Sequence, residues 1–446
     1  MPRLAIIEPV VCAGGVERFV HGLVQGAIEE RITDDWEIVL VRNQVNTAGI
    51  HVPWPEHLRK PSIKIVYPEP AKFLARQLEK LSTAHRFFGI PGTGRMQRDF
   101  ARWVRSKGPR QWRAYCGDIA SWVEDYLRTH PVDVVYCPYP DLVAPPRFAQ
   151  PIVITLHDLV FKHVTVRNSP EDRLRDGIIR KWLSIARYVV HSSQYIAGEL
   201  KEFYPEFTAK SNVVRLGIPS PKCYPDAAEV EALRARLNLP QRFVLIAGSL
   251  MRHKNQHVVF EAIAKLRKRG VDVPLVCVGP NCKELTLSRE DANRPANAVR
   301  YSTTIINICH ESDLQRDRDY FVLGFVDDFT LECLYQCASM LVVPSITEAG
   351  SFPGQEAMRA GCPVIFSRTP PFLELMQLAE ENAWSFAVND SGELAERIYE
   401  VITQPEVVQQ RTEAAMKIVP KVFSWKKTAY GYFDLFSRCC ETATKR

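Results

Sequence analysis

The stretch Pro344-Ser345-Ile346-Thr347-Glu348-Ala349-Gly350-Ser351-Phe352-Pro353-Gly354-Gln355-Glu356-Ala357-Met358-Arg359-Ala360-Gly361-Cys362-Pro363-Val364-Ile365 decides how the rest of this chain is read. It leaves the apolar run Met340–Val343, passes through a loop of small residues, and enters a helix with Pro353 near its first position, where a missing N–H costs nothing. A loop that feeds a helix N-terminus offers free backbone N–H groups and the positive end of a dipole, a natural cradle for a diphosphate. Glu348 in the loop and Glu356 one turn into the helix have seven residues between them. Glu356 is placed to hold ribose hydroxyls and Glu348 to hold sugar hydroxyls. On spacing alone, an ordinary strand–loop–helix connection explains the stretch equally well.

The same alternation of short β-branched runs and helical periods extends in both directions, which predicts parallel sheets covered by helices. Strands are expected at Leu4–Ile7, Glu37–Val41, Asp133–Cys137, Ile152–Leu156, Tyr188–His191 and Asn212–Leu216. After a break at Pro219, Pro221 and Pro225 they resume at Phe243–Ala247, Leu275–Val278, Tyr320–Leu323, Met340–Val343 and Pro363–Phe366. The fold class is therefore α/β, with two doubly wound domains spanning 1–220 and 221–420. Two segments break the rhythm: an insertion from about Arg42 to Gly117, and a polar stretch from about Asn281 to Asp319 expected to be a surface excursion.

Composition bounds the function. The chain has 446 residues, 46% of them apolar and 24% charged, with a net charge of +6. No run approaches the ~18 apolar residues of a membrane helix, and Met1–Arg3 lead straight into Leu4-Ala5-Ile6-Ile7. A secreted or membrane-spanning protein is not expected; a cytoplasmic one is. The twelve cysteines form no C-x-x-C pair, so they are expected to be reduced, buried thiols rather than zinc ligands or a redox pair.

The stretch from Pro344 resembles the E-x7-E motif of retaining glycosyltransferases of the two-Rossmann-domain (GT-B) type, family 4, whose pattern is P-S-x-x-E-G-F-G-x-P-x-x-E-A-x-x-x-G-x-P-V. Ala349 and Ser351 stand where that family has glycine, and its aromatic falls at Phe352. Ala247 to Asn255 is similar to the family's segment of diphosphate ligands, with Lys254 matching its lysine. Ser249 replaces its arginine, and Arg252 is the candidate substitute. The resemblance implies two Rossmann-like domains facing a central cleft, a nucleoside diphosphate sugar as donor, no metal and no other cofactor. It also implies site roles: Lys254, Glu348 and His157 catalytic; Arg252, Gly248, Ser249, Gly350, Ser351, Phe352 and Glu356 on the donor; Gly14, Gly15 and Asp158 lining the cleft beside the acceptor. His157-Asp158 ends a strand, where open sheets place ligand contacts, and Gly14-Gly15 is like the family's first glycine-rich loop. Phe423-Ser424-Trp425 is similar to the start of the family's terminal helix, about 421–446, which returns to the first domain. The segment ending in Lys254-Asn255 resembles mannosyltransferase-type members, which points to GDP-mannose.

Two other motifs carry no function here. Asp317-Arg318-Asp319 follows no apolar strand, unlike the metal-binding D-x-D of the other glycosyltransferase fold. No G-x-x-x-x-G-K-[ST] loop is present. A sugar-nucleotide epimerase or hydrolase on the same architecture, and a catalytically silent nucleotide-sugar-binding module, stay open as alternatives. The charge is localised: Lys72 to Arg113 holds eleven basic residues and two acidic ones. Leucines and aromatics at helical spacing accompany them. This pattern fits an anionic membrane surface beside a glycan or lipid-linked glycan acceptor, and no nucleic-acid-binding motif accompanies it.

Overall fold

The computed structural model describes residues 1–8, 15–42, 54–67, 120–140, 144–164, 170–218, 224–293 and 300–443. They fall into two compact units, Met1–Gly217 with Ser424–Arg446, and Ile218–Phe423. Gly14 and the basic segment Lys72–Arg113 lie outside the described residues.

The first unit is built on a parallel sheet of β1 (Arg3–Glu8), β2 (Glu37–Arg42), β3 (Ile63–Val66), β4 (Val134–Cys137), β5 (Ile152–Thr155), β6 (Tyr188–His191) and β7 (Ser211–Val213), in the order β3-β2-β1-β4-β5-β6-β7. Leu4 pairs with Ile38 on one side and Val134 on the other. Leu4 to Ile7 are at most 1% exposed, as unbroken apolar strands must be when helices cover both faces. The helix Gly15–Glu29 buries Phe19, Leu23 and Ala27, a stripe at helical spacing.

The C-terminal helix Trp425–Ala443 closes this unit. A Cβ on Gly22 would come within 2.1 Å of the Trp425 ring, and one on Gly26 within 2.4 Å of the Trp425 carbonyl oxygen, so two glycines four residues apart admit the helix to close range. Behind them, Thr155 Oγ1 lies 2.6 Å from the Tyr136 hydroxyl and 2.8 Å from the Tyr432 hydroxyl, a buried chain that ties the helix to β4 and β5.

The second unit holds β8 (Val244–Ala247), β9 (Leu275–Val278), β10 (Tyr320–Gly324), β11 (Met340–Val343), β12 (Val364–Ser367) and β13 (Trp384–Phe386), in the order β10-β9-β8-β11-β12-β13. This is the doubly wound order that reverses between its first and fourth strands, β8 and β11, and opens a ligand crevice at their carboxyl ends.

The structure corrects several expectations. The stretch 281–319 is not a surface excursion: its helix Tyr301–Glu311 inserts Ile305, Ile306 and Cys309 into the same apolar cluster as Cys277 and Val259. Its polar residues cover the outer face of a core crossover between β9 and β10. The segment from Arg42 contains β3, an edge strand of four residues interrupted by Lys64. β13, at the other sheet's edge, is the unexpected three-residue strand Trp384-Ser385-Phe386, whose apolar run is broken by Ser385. The last strand of the first sheet stops at Val213 rather than Leu216.

Candidate functional site

The second unit's crevice is formed by two turns that the chain brings together from far apart. After β8, residues Arg252–Lys254 make a single 3-10 turn, capped by Asn255 at φ 58°. Few residues accept that left-handed geometry, and asparagine is one of them. The Asn255 side chain, fully buried, donates from Nδ2 to the Pro344 carbonyl at 3.0 Å, and the Ile346 N–H donates to the His253 carbonyl at 2.8 Å. These two bonds set the Lys254 turn against the loop that follows β11.

As a result Lys254 Nζ meets Glu348 Oε1, which also accepts from the Ser345 hydroxyl at 2.7 Å. The Glu348 side chain is 10% exposed and the Lys254 side chain 28%. Both line a cavity of about 60 Å³, together with Gly248, Gln256, Ser345 and Ser351. The cavity lies where the sheet order reverses, with β8 residues on one wall and β11 residues on the other.

Ser351 begins the helix Phe352–Arg359. It adopts φ −131° and accepts the Gly354 N–H at 3.1 Å, so the serine found in place of glycine is an unstrained helix cap. Neither Ala349 nor Ser351 has a positive φ. Ser249 contributes its carbonyl, which accepts from Gln256 Nε2 at 2.8 Å. Arg252 is exposed and is not among the residues lining the cavity. Gly350 is exposed, and Phe352 is partly exposed at the first position of the helix. Glu356 is 3% exposed and takes a hydrogen bond from the Tyr335 hydroxyl at 3.1 Å.

Two contributors carried no sequence signal that was used. Gly279, after β9, has φ 129°, and a Cβ there would lie 2.2 Å from the Gly248 carbonyl oxygen. Asn255 could have been found as a potential left-handed residue directly after the lysine turn.

In the first unit, His157 and Asp158 follow β5. Asp158 Oδ1 accepts the Val160 N–H at 3.1 Å, which fixes the turn. Burial pushes the His157 imidazole down to about 4, against the opposing pull of Asp158 and the Pro138 carbonyl. Phe19 packs edge-on against its ring with centroids 5.0 Å apart. Burial likewise lowers His191, at the end of β6, to about 4. Both are neutral imidazoles at pH 7.

Gly15 opens the first helix, and close by lies a charged cluster that the sequence reading passed over. Glu8 ends β1 and Arg42 ends β2; Arg42, fully buried, approaches Glu8 at 3.6 Å and Glu17 at 3.8 Å. Burial raises both carboxyls, Glu17 to about 7, with Arg42 opposing. A charge closing each of two apolar strands, Leu-Ala-Ile-Ile-Glu and Ile-Val-Leu-Val-Arg, was the available signal.

The rejected D-x-D has a structural job. Asp319 Oδ2 accepts the Gln315 N–H at 2.7 Å and meets Arg318 at 2.8 Å and Arg267 at 3.1 Å. Among the described residues, no group of three or more His, Cys, Asp or Glu is set to hold a metal. The nine described cysteines are free thiols, seven of them buried.

Residues 229–418 match the family model "Glycosyl transferases group 1". The chain is 22% identical over 290 residues to MMP alpha-(1->4)-mannosyltransferase of Mycolicibacterium hassiacum, a match that covers 63% of each chain and so less than two thirds of that relative's length. Among solved structures it is similar to sucrose-phosphate synthase from Thermosynechococcus elongatus, with a TM-score of 0.68, 19% identity and 98% of each chain covered. Anabaena HepE in complex with UDP and glucose superposes with a TM-score of 0.63 and 16% identity, over 98% of this chain and 99% of that one. Such likenesses, below a quarter identical, establish the shared GT-B fold, and the family model speaks for residues 229–418. Residues 229–418 thus carry the group 1 glycosyl transferase region of a chain with the GT-B fold.

Proposed function

We propose that this protein is a retaining glycosyltransferase that moves a sugar from a nucleoside diphosphate donor to a hydroxyl of a glycan or lipid-linked glycan in polysaccharide biosynthesis, with GDP-mannose as the favoured donor. The observation that carries the reading is the contact of Lys254 with Glu348 inside the cavity where the strand order reverses. A cation, a carboxylate and a capped helix N-terminus converge there, which suits a diphosphate joined to a polyol. The name of the Mycolicibacterium relative supports mannose, and the UDP and glucose in the HepE structure support a nucleotide-sugar donor.

As the glycosidic bond breaks, negative charge builds on the leaving phosphate. Lys254 and the backbone N–H groups around Gly350 to Phe352 are the preorganised groups that offset it. Lys254 meets Glu348, so a diphosphate that takes up the ammonium frees the carboxylate to accept sugar hydroxyls. Glu356 accepts ribose hydroxyls. Catalysis needs no metal, and no protein nucleophile is assigned: the leaving phosphate assists deprotonation of the acceptor on the same face. The test is incubation with GDP-mannose and UDP-glucose in the presence of simple glycoside acceptors, with the first-formed anomer read by proton NMR. A product that keeps the donor's configuration supports the reading; an inverted product, or hydrolysis indifferent to acceptor, overturns it.

A further inference from the structure

Gln256 stands at the cap position of the helix His257–Lys268, but its side chain caps nothing there. It is 4% exposed and lines the same cavity as Lys254 and Glu348. Its Nε2 donates to the Ser249 carbonyl at 2.8 Å. A carbonyl only accepts, so the nitrogen is the end of the amide that faces Ser249, and the acceptor Oε1 is fixed at the other end. That oxygen is buried, and among the described residues nothing donates to it.

A buried carbonyl oxygen without a partner has lost the hydrogen bonds it made to water and gained none in return. A methionine would fill the same space without that cost, and a lysine would keep the bond to Ser249. The other polar groups of the cavity wall are engaged with one another. Lys254 and the Ser345 hydroxyl both meet Glu348, and Ser351 Oγ takes the Gly354 N–H. The phosphate oxygens of a nucleotide sugar are ionised at neutral pH and only accept, so Oε1 repels the diphosphate that Lys254 attracts. Its complement is a hydroxyl.

We propose that Gln256 is a specificity residue whose Oε1 accepts a hydrogen bond from one hydroxyl of the transferred sugar, on the same cavity wall as Glu348. The inference rests on the nucleotide-sugar reading of the cavity given above. One side chain then does two things: Nε2 holds the Ser249 carbonyl, and Oε1 reads the sugar.

The test is titration calorimetry of wild type, Gln256→Met and Gln256→Lys with GDP-mannose, UDP-glucose and ADP-glucose. Each is compared with analogues in which one sugar hydroxyl at a time is replaced by fluorine, which keeps the size but cannot donate. The matching nucleoside diphosphates and their 2′-deoxy and 3′-deoxy counterparts are titrated alongside. Thermal unfolding confirms that the variants are folded, and either variant alone decides. At one sugar position wild type should lose roughly three- to tenfold in affinity on fluorination, the worth of a hydrogen bond, and the variants should bind that analogue and its parent equally. Loss of the Ser249 contact, or the added charge of the lysine, changes all ligands alike and cancels in this ratio. If every fluorinated analogue falls as far below its parent in the variants as in wild type, the inference is overturned while the donor reading stands. If the variants lose discrimination only between ribose and deoxyribose, the oxygen reads the nucleoside and the sugar assignment is overturned. If no nucleotide sugar and no diphosphate binds wild type, the donor reading fails and this inference with it.

Discussion

The carboxamide of Asn255 donates to the carbonyl of Pro344 across 89 positions of sequence, and that bond is what sets Lys254 beside Glu348. Replacing Asn255 by Ala removes the bond and leaves at φ 58° a residue without the short polar side chain that eases this left-handed geometry, which costs ~1–2 kcal/mol for most residues with a Cβ. Asn255→Gly removes the bond but relieves the backbone. Thermal unfolding should rank wild type above Asn255→Gly and Asn255→Gly above Asn255→Ala, and both variants should lose turnover. If Asn255→Gly keeps full turnover, the bond to Pro344 does not register the site.

Lys254→Ala should depress kcat by ~10²–10³ with a smaller change in KM, because the charge it offsets grows toward the transition state. Glu348→Gln separates the pair differently. With the ammonium released, a nucleoside diphosphate should bind as tightly as to wild type or more tightly, while turnover falls. A Glu348→Gln variant that binds diphosphate much more weakly would mean that Glu348 supports the phosphate end rather than the sugar.

Turnover should survive EDTA. Asp319 is occupied by Gln315, Arg318 and Arg267, so the one D-x-D sequence considered has no carboxylate pair to offer a cation. Loss of activity in EDTA with recovery on adding magnesium or manganese would contradict this.

The raised carboxyl of Glu17 gives stability a measurable pH dependence. Its folded value of about 7 lies above the ordinary 4.5, so the folded chain binds a proton there that the unfolded chain has released. That contribution is complete below pH 4.5 and is lost as pH rises through 7. His157 and His191 act in the opposite sense, since the unfolded chain takes up their protons between pH 6.5 and 4. The difference between wild type and Glu17→Gln isolates the first effect: the two should match near pH 5, and the variant should be the more stable near pH 8, by on the order of 1–3 kcal/mol. Denaturant unfolding of the full chain at both pH values measures it, and a pH-independent difference would remove Glu17 from the account.

The basic segment Lys72–Arg113 is expected to hold the protein on an anionic leaflet, each basic residue contributing ~1 kcal/mol near the surface. Cosedimentation with anionic vesicles should fall steeply with salt and vanish when Arg98, Arg102 and Arg105 are replaced by glutamate. Wild-type protein that stays in the supernatant at low salt ends the membrane reading.

The sequence by itself determined the two doubly wound sheets, because strands such as Leu4–Ile7 and Met340–Val343 are apolar throughout and buried on both faces, and that pattern is local. It also determined the glutamate spacing and the helix entry at Pro353, which depend on neighbours along the chain. It missed β3 and β13, edge strands whose apolar runs are interrupted by Lys64 and Ser385, and it misplaced 281–319, whose helix shows polar residues outward and is core inward. Only the tertiary structure decided which partners meet: Lys254 with Glu348, Asn255 with Pro344, Tyr335 with Glu356, and Arg42 between Glu8 and Glu17. These pairings are set by strand order and loop register, properties of the folded sheet as a whole, and a buried charge or hydroxyl is stable only once its partner has been delivered by that register.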